Sequence, residues 1–429
     1  MKRKIHLIII LALQMAWPAM AQDTLTVMQY NLLYYGNTST CDEYDNNTQH
    51  KDECIRVILD EVKPNILTVC EFGATQSLQN DFLRHNLNIN GANYWQSDNI
   101  INYANSSIIN HIFFDSRKMG LKKHVALRTH PRDTDVYELY MRTPSLAVGD
   151  TIKLVCIVAH TKAGKEWESS RRAQMQMAMD YVNQHYSTEN VLIMGDFNMY
   201  GASESGYRLL TQTYSNPYAR FMDPVANHGG VGEWNNNILF AQFHTQSTHS
   251  TSSECFVDGG LDDRFDFILM SDEIAFSYNH LRYVNNSYNA VGNDGHHFNM
   301  SVDQGYNSSV PAAVAEALFD ASDHLPVTMK IAVDAKLGVD EAEEAVLQAF
   351  VAPNPATDMT QVSFFNPSDG EVSFEVYSLQ GQRVSRATNH YNSGSQQFEL
   401  DLHDLPNGFY LLRMSHSDGW KQTLKMVKN

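Results

Sequence analysis

The stretch Val191-Leu192-Ile193-Met194-Gly195-Asp196-Phe197-Asn198 sets the narrowest limit on how this chain can fold. Four apolar residues in a row, partly β-branched, read as a short buried strand. Gly195 ends the run. If extended backbone carries on to Asn198, a period of two puts Asp196 and Asn198 on one side and Phe197 on the other. A carboxylate and a carboxamide at the mouth of a buried strand suit a hard cation or the activation of a water. The same residues also make an ordinary Asx turn, so the rest of the chain has to decide.

Similar runs recur. Residues 24–30, 66–70, 108–114, 136–141, 152–159, 265–270 and 325–333 read as strands. Ile55, Ile58, Leu59 and Val62 fall at helical spacing over residues 51–62, and Pro64 stops that helix. Residues 77–87 and 166–186 read as two more helices, and residues 310–318 as a short one with Pro311 in its first turn. Residues 199–310 are otherwise rich in Asn, Ser, Gly and His and read as loops. The ends of the strands share a chemistry. Asn31, Glu71, His160, Asp196 with Asn198, Asp266, and Asp323 with His324 each lie in or at the end of an apolar run. One polar residue there is unremarkable, but six such places supply acids, amides and imidazoles. They point to one site at the edge of a layered α/β sheet.

The chain has 429 residues, of which 43% are hydrophobic, enough for two or three domains with real cores. Lys2, Arg3 and Lys4, the apolar run that follows, and Ala19-Met20-Ala21 form a secretory signal, so residues 1–21 are expected to be removed. No later stretch is apolar for long enough to span a membrane. Residues 22–334 form the main domain and residues 335–349 a linker with the acidic run Asp340-Glu341-Ala342-Glu343-Glu344. Residues 350–429 carry only short β patterns split by turns, which predicts a small β-sandwich. Five cysteines are an odd number. Cys41 and Cys54 flank a polar loop and could pair after export, Cys70 and Cys156 sit in apolar runs as buried thiols, and Cys255 could be free.

Taken in order, several motifs resemble those of the endonuclease/exonuclease/phosphatase superfamily. They are Tyr30-Asn31-Leu32, Cys70-Glu71, Ala159-His160-Thr161-Lys162-Ala163-Gly164, Gly195-Asp196-Phe197-Asn198, Asp266-Phe267-Ile268-Leu269 and Ser322-Asp323-His324-Leu325-Pro326-Val327. The resemblance spans about residues 22 to 333. It implies a four-layered α/β/β/α sandwich of the deoxyribonuclease I type and metal-dependent hydrolysis of a phosphate ester; the chain is expected to act as a monomer. Glu71 would be the main metal ligand, with Asn31 and Asp323, and the metal would be Mg²⁺, with Mn²⁺ or Ca²⁺ as alternatives. His324, oriented by Asp266, would act at the phosphate or on the attacking water. Asp196 would activate or position that water, and Asn198 and His160 would hold phosphate oxygens.

The physical chemistry agrees. A phosphodiester is anionic and repels a hydroxide-like nucleophile until a cation neutralises its oxygens. Mg²⁺ takes oxygen ligands and keeps several waters, so one or two carboxylates suffice. Lys162 either reaches a phosphate or is solvated, and Arg172 reads as solvated. His244, His249, His296 and His297 lie in loop context, which weighs against a metal site there.

Substrate choice is less constrained. The net charge is −18 and its acidity is not confined to the linker or the tail. Extended nucleic-acid binding normally leaves a basic footprint, and the one local concentration is Arg117, Lys118, Lys122, Lys123 and Arg128, read as a solvated hairpin. A nuclease-like phosphodiesterase is expected first. The alternatives are a hydrolase of small or lipid phosphates, and a non-catalytic surface binding protein on the same scaffold. The tail resembles the C-terminal sorting domain of the type IX secretion system of Bacteroidota. That likeness rests on Ala352-Pro353-Asn354-Pro355-Ala356, on the Val376 to Val384 stretch, on Leu405-Pro406-Asn407-Gly408-Phe409-Tyr410-Leu411-Leu412 and on Lys425-Met426-Val427-Lys428. It implies engagement of that secretion machinery, passage across the outer membrane and a secreted or cell-surface location.

Overall fold

Apolar runs without alternation need cover on both faces, and this fold supplies it with two sheets packed face to face and helices outside each. The computed structural model describes residues 23–39, 41, 47–143, 146, 149, 151–212, 220–225, 233–253, 255–334, 349–366, 368–379, 381–418 and 420–429. The signal segment expected at 1–21, and the expected linker except residue 349, lie outside them. In the first sheet, strands run in the order Leu281–Tyr283, Val327–Val333, Asp23–Tyr35, Ile66–Gly73, Ile108–Asp115 and Trp95–Gln96, with Asn289–Ala290 added beside Val327–Val333. In the second the order is Met119–Leu127, Thr134–Met141, Lys153–His160, Val191–Asp196, Asp266–Ser271 and Phe221–Met222.

Each sheet has one parallel pair near its centre, joined through a helix. Asp23–Tyr35 and Ile66–Gly73 connect through the helix Thr48–Val62. Lys153–His160 and Val191–Asp196 connect through the helix Glu168–His185. Alternate residues of these strands serve different layers. Val27, Ile66 and Ile112 meet Tyr137, Leu192, Met194 and Ile268 between the sheets. Met28, Tyr30 and Val69 face outward to Ile55, Ile58, Val314 and Leu318. Val155, Ile157 and Ile193 face outward to Met175, Ala178 and Val182. This is the α/β/β/α sandwich that the resemblance implied.

The longer elements follow the sequence reading within a few residues, but residues 199–310, read as loops apart from one strand, also hold the helix Ser205–Thr211 and the short strands Phe221–Met222, Leu281–Tyr283 and Asn289–Ala290, too short to show a period. The first strand runs on to Tyr35, past the expected end at Tyr30. Pro311 is the residue before the helix Ala312–Ala321, not part of its first turn. The basic hairpin is an edge strand and its turn. Arg117 pairs with Asp115, Lys118 with Asp23 and Lys122 with Glu138, so those cations are balanced by their own neighbours. The tail folds as two sheets of three and four strands, including Ala349–Ala352, which the sequence pattern did not reveal. Its own core is built on Val362, Phe364, Phe374, Val376, Leu412, Met414 and Met426.

Cysteine pairing needs correction. Cys41 bonds to Cys255, not to Cys54. Residues 48–62 form a helix that turns Cys54 inward toward the strands, where it stays a buried thiol. Cys70 and Cys156 are buried thiols as expected. The disulfide closes a span of 214 residues. Cys41→Ser is therefore expected to lower the unfolding free energy by about 2–5 kcal/mol, mainly by freeing the unfolded chain. Urea unfolding checks this, and reduction should bring the wild type down to the variant.

His111 lies in Ile108–Asp115, wholly buried beside Phe72 and Phe113. Burial, with repulsion from His124, pushes its pKa down to about 3. Above pH about 6.5 both folded and unfolded chains hold a neutral imidazole. Below that the unfolded chain takes up a proton that the folded chain refuses, so this group costs stability as pH falls. The stability gap between wild type and His111→Gln should narrow by about 1.4 kcal/mol per pH unit on going down from pH 6. Denaturation at a series of pH values measures it, and a gap independent of pH would contradict the burial argument.

Candidate functional site

The strand ends of both sheets open on the same edge. In the second sheet, register places His160 beside Asp196, and Asp196 beside Asp266. Asn31 comes from the first sheet, opposite Cys70. Glu71 follows at a break in strand register, with φ at 56°. A bulge of this kind re-aims a side chain, and here it turns Glu71 toward the second sheet. Leu33 and Tyr34 also have positive φ, and the Tyr34 amide donates to Glu71 Oε2 at 3.1 Å. Two neighbouring strands are thus distorted at one level, a cost usually tolerated where a site demands it.

The expected residues converge. Asn31 Nδ2 donates to Glu71 Oε1 at 3.2 Å and to Asp196 Oδ2 at 3.0 Å, crossing from one sheet to the other. His160 Nε2 lies 3.2 Å from Asp196 Oδ2 and 3.8 Å from Glu71 Oε1. His324 Nδ1 lies 2.6 Å from Asp266 Oδ2, and its Nε2 is 3.9 Å from both Asp196 Oδ2 and Asp323 Oδ1. Thr245 Oγ1 donates to Asp266 Oδ2 at 2.8 Å and fixes that carboxylate. Ser322 Oγ donates to the Asn31 carbonyl at 2.7 Å, joining the last motif to the first.

Asn198 is placed differently from the extended-strand expectation. Its φ is 48°, so the strand stops at Asp196 and the two side chains do not share a strand face. Phe197 does face away from the site as expected, in the outer core, where it stacks on Phe267 with ring centres 4.2 Å apart. Asn198 then closes an Asx turn, its amide donating to Asp196 Oδ1 at 3.1 Å, while its Nδ2 reaches the Thr161 carbonyl at 3.4 Å. The turn and the site are therefore one arrangement, because the turn itself holds Asp196.

Burial and charge shape this cluster. Burial, reinforced by Asp323, pushes the Glu71 carboxyl up. Asp196 is pushed up to about 7 by burial, against the pull of His324. Burial disfavours charge on His324, yet Asp266, Asp323 and Asp196 outweigh it and hold its pKa well above the usual value. His160 is pushed well below its usual value by burial and by Arg132, and stays neutral. Gln246 Nε2 lies 2.8 Å from His324 Nε2 and donates to Asp323 Oδ2 at 3.1 Å. A neutral His324 accepts from that amide, so protonating His324 requires the amide to turn.

Four buried carboxylates face each other across this space, and ligand atoms of Glu71, His160 and Asp196 lie within 4.8 Å of one another. Asp323 Oδ1 and Asp266 Oδ1 are buried with no hydrogen-bond partner. An oxygen-rich, electron-rich donor set of this kind fits a hard divalent cation.

Sequence reasoning missed several supports. Arg171 is fully buried, bidentate to Glu204 at 2.9 and 2.7 Å, and donates to the Lys162 and Gly164 carbonyls, so it holds the loop after His160. Its helical spacing to Met175 and Ala178 was the available signal. Arg132, Gln246 and Thr245 lie in loops without periodicity and gave none. Lys162 packs over the Trp167 ring at 5.5 Å. Trp234 is core, and His297 pairs with Asp294. Among the described residues, no cluster of metal-ligating atoms includes His244, His249, His296 or His297.

A layered α/β/β/α domain with an acid, amide and imidazole cluster at one sheet edge, followed by a β-sandwich tail, defines the class of this molecule. Residues 351–429 match the family described as a secretion system C-terminal sorting domain. The chain is therefore a secreted or cell-surface protein. No curated protein matches it. Among solved structures the chain is similar to TDP2 of D. rerio complexed with a single-strand DNA product, at 13% identity and a TM-score of 0.44, covering 72% of this chain and 98% of that one. It is also similar to an endonuclease/exonuclease/phosphatase from Bacteroides vulgatus, at 14% identity and a TM-score of 0.45, covering 73% and 100%. A third, from Beutenbergia cavernae, has 13% identity and a TM-score of 0.41, covering 94% and 99%.

Proposed function

We propose that this protein is an exported, divalent-cation-dependent phosphoesterase that hydrolyses phosphodiesters in a nuclease-like way. The observation that carries this is the meeting of Glu71, Asp196, Asp266 and Asp323 with His160 and His324 across two sheets. Glu71, with Asn31 and Asp323, would hold the cation, Mg²⁺ in the first instance. When bound, the ion supplies positive charge beside the phosphate oxygens. Asp196, with its pKa near 7, takes the proton of the attacking water. The new bond runs from that water oxygen to phosphorus, the bond to the ester oxygen breaks, and the leaving oxygen takes up a proton from solvent water as it departs. His324, kept positive by its carboxylate neighbours and aligned by Asp266, faces the phosphate as charge builds. His160 and Asn198 donate to phosphate oxygens, His160 as a neutral imidazole.

A second reading, hydrolysis of small or lipid phosphates, is favoured by one observation. The chain is acidic, and Arg117, Lys118 and Lys122 are taken up by their own carboxylates. Plasmid DNA and a chromogenic bis-phosphodiester, each with and without EDTA, separate the two. Chelator-sensitive cleavage of both supports the nuclease reading; cleavage of the small diester alone supports the second. In the same assay Glu71→Gln should raise the Mg²⁺ concentration for half-maximal rate by about 10-fold or more, since one anionic ligand is lost. Absence of chelator-sensitive activity on either substrate would overturn both readings.

A further inference from the structure

Outside the catalytic edge, the helices Thr48–Val62 and Ala312–Ala321 lie side by side over the first sheet and share its outer apolar cluster through Ile55, Ile58, Val314 and Leu318. At one end of this seam, ligand atoms of His50, Cys54 and Asp320 lie within 4.8 Å of one another. His50 and Cys54 are four residues apart and so share a face of their helix. Asp320 arrives from the other helix.

The separations can be compared with those a single ion would impose. Tetrahedral zinc with its usual bond lengths puts a nitrogen and an oxygen ligand about 3.3–3.4 Å apart, and a nitrogen and a sulfur ligand about 3.6 Å apart. His50 Nε2 lies 3.3 Å from Asp320 Oδ2 and 3.9 Å from Cys54 Sγ. The first fits as it stands, and the second needs a shift of a few tenths of an ångström. The surroundings are electronegative. Burial and the carboxylates Asp320, Glu53 and Glu316 push the Cys54 thiol up to about 11, and those carboxylates favour a cation there. Cys54 is in no disulfide and is only 6% exposed, whereas His50 is open to solvent and gives an ion its route in. A hard ion would have no use for a thiol, so the donor set selects a borderline-soft one.

We propose that His50, Cys54 and Asp320 bind a zinc-like divalent cation, with water in the fourth position, as a clamp between these two helices and separate from the catalytic cluster. The clamp sits next to two parts of the catalytic edge. Lys51 follows His50 and holds the Leu32 and Leu33 carbonyls at 3.0 and 2.6 Å. Asp320 precedes the Ser322-Asp323-His324 motif by a single intervening residue.

Titration of the full chain with Co²⁺ tests this, read by thiolate-to-cobalt charge-transfer absorption, which an all-oxygen and imidazole site does not produce. The absorption should saturate at one equivalent, be displaced by Zn²⁺, survive in Glu71→Gln and vanish in Cys54→Ala. His50→Ala, an exposed change with little risk to folding, should weaken Co²⁺ binding by more than about 100-fold, beyond the loss from a mere outer-shell partner. Cys54→Ala should retain the Mg²⁺-supported hydrolysis rate. No charge-transfer absorption at millimolar Co²⁺, or absorption unchanged in Cys54→Ala or His50→Ala, would reduce the cluster to an ion pair beside a thiol and overturn the proposal.

Discussion

His324→Gln is expected to lower turnover by about 10³-fold or more, the scale of losing a positioned proton-handling group in the transition state. The residue is 3% exposed and is the imidazole held among Asp266, Asp196 and Asp323. Glutamine keeps a donor for Asp266 but cannot carry a positive charge toward the phosphate. It also removes the cation that balances those carboxylates, which the motif at a strand end did not disclose. Uncompensated buried charge is costly, so some loss of stability should accompany the loss of rate. The comparison is therefore made on protein shown to be folded by circular dichroism, with KM measured beside kcat. A folded variant with near-normal kcat would remove His324 from the chemistry and, with it, the assignment of the whole cluster.

Gly195→Ala is expected to cost more stability than any other single methyl added to the catalytic layers. Gly195 has φ at 148°, a conformation that side chains rarely allow. A Cβ there would lie 1.8 Å from the Ala159 carbonyl oxygen and 3.0 Å from the Ala159 nitrogen. Both are backbone atoms of the neighbouring parallel strand, paired in register with Gly195 itself. No rotamer relieves such a clash; the sheet would have to part between His160 and Asp196. The expected loss exceeds about 4 kcal/mol, in the class of backbone strain and core overpacking combined. Thermal unfolding and soluble yield measure it. A variant melting like wild type would show that this strand pair can move apart, and the close contact of His160 with Asp196 would no longer be fixed by the fold.

Much of this was readable from residue order alone. Unbroken apolar runs required strands covered on both faces, and the helical spacing of Ile55, Ile58, Leu59 and Val62 required an outer helix. The polar residues closing those runs named most of the cluster, because a strand end is where the chain leaves the apolar layers and polar side chains from several strands can meet. Periodicity did not foresee the loop residues Gln246, Thr245 and Arg132, whose positions depend on where distant segments return.

The sequence by itself determined the long strands and helices of both layers, and which side chains would stand at their ends, since burial period and turn chemistry are local. Only the tertiary structure decided how those ends are aimed: the bulge that turns Glu71, the tie from Asn198 to the Thr161 carbonyl, and the bond from Cys41 to Cys255. Each depends on contacts between parts far apart in the chain, and such contacts leave no period in the residues that make them.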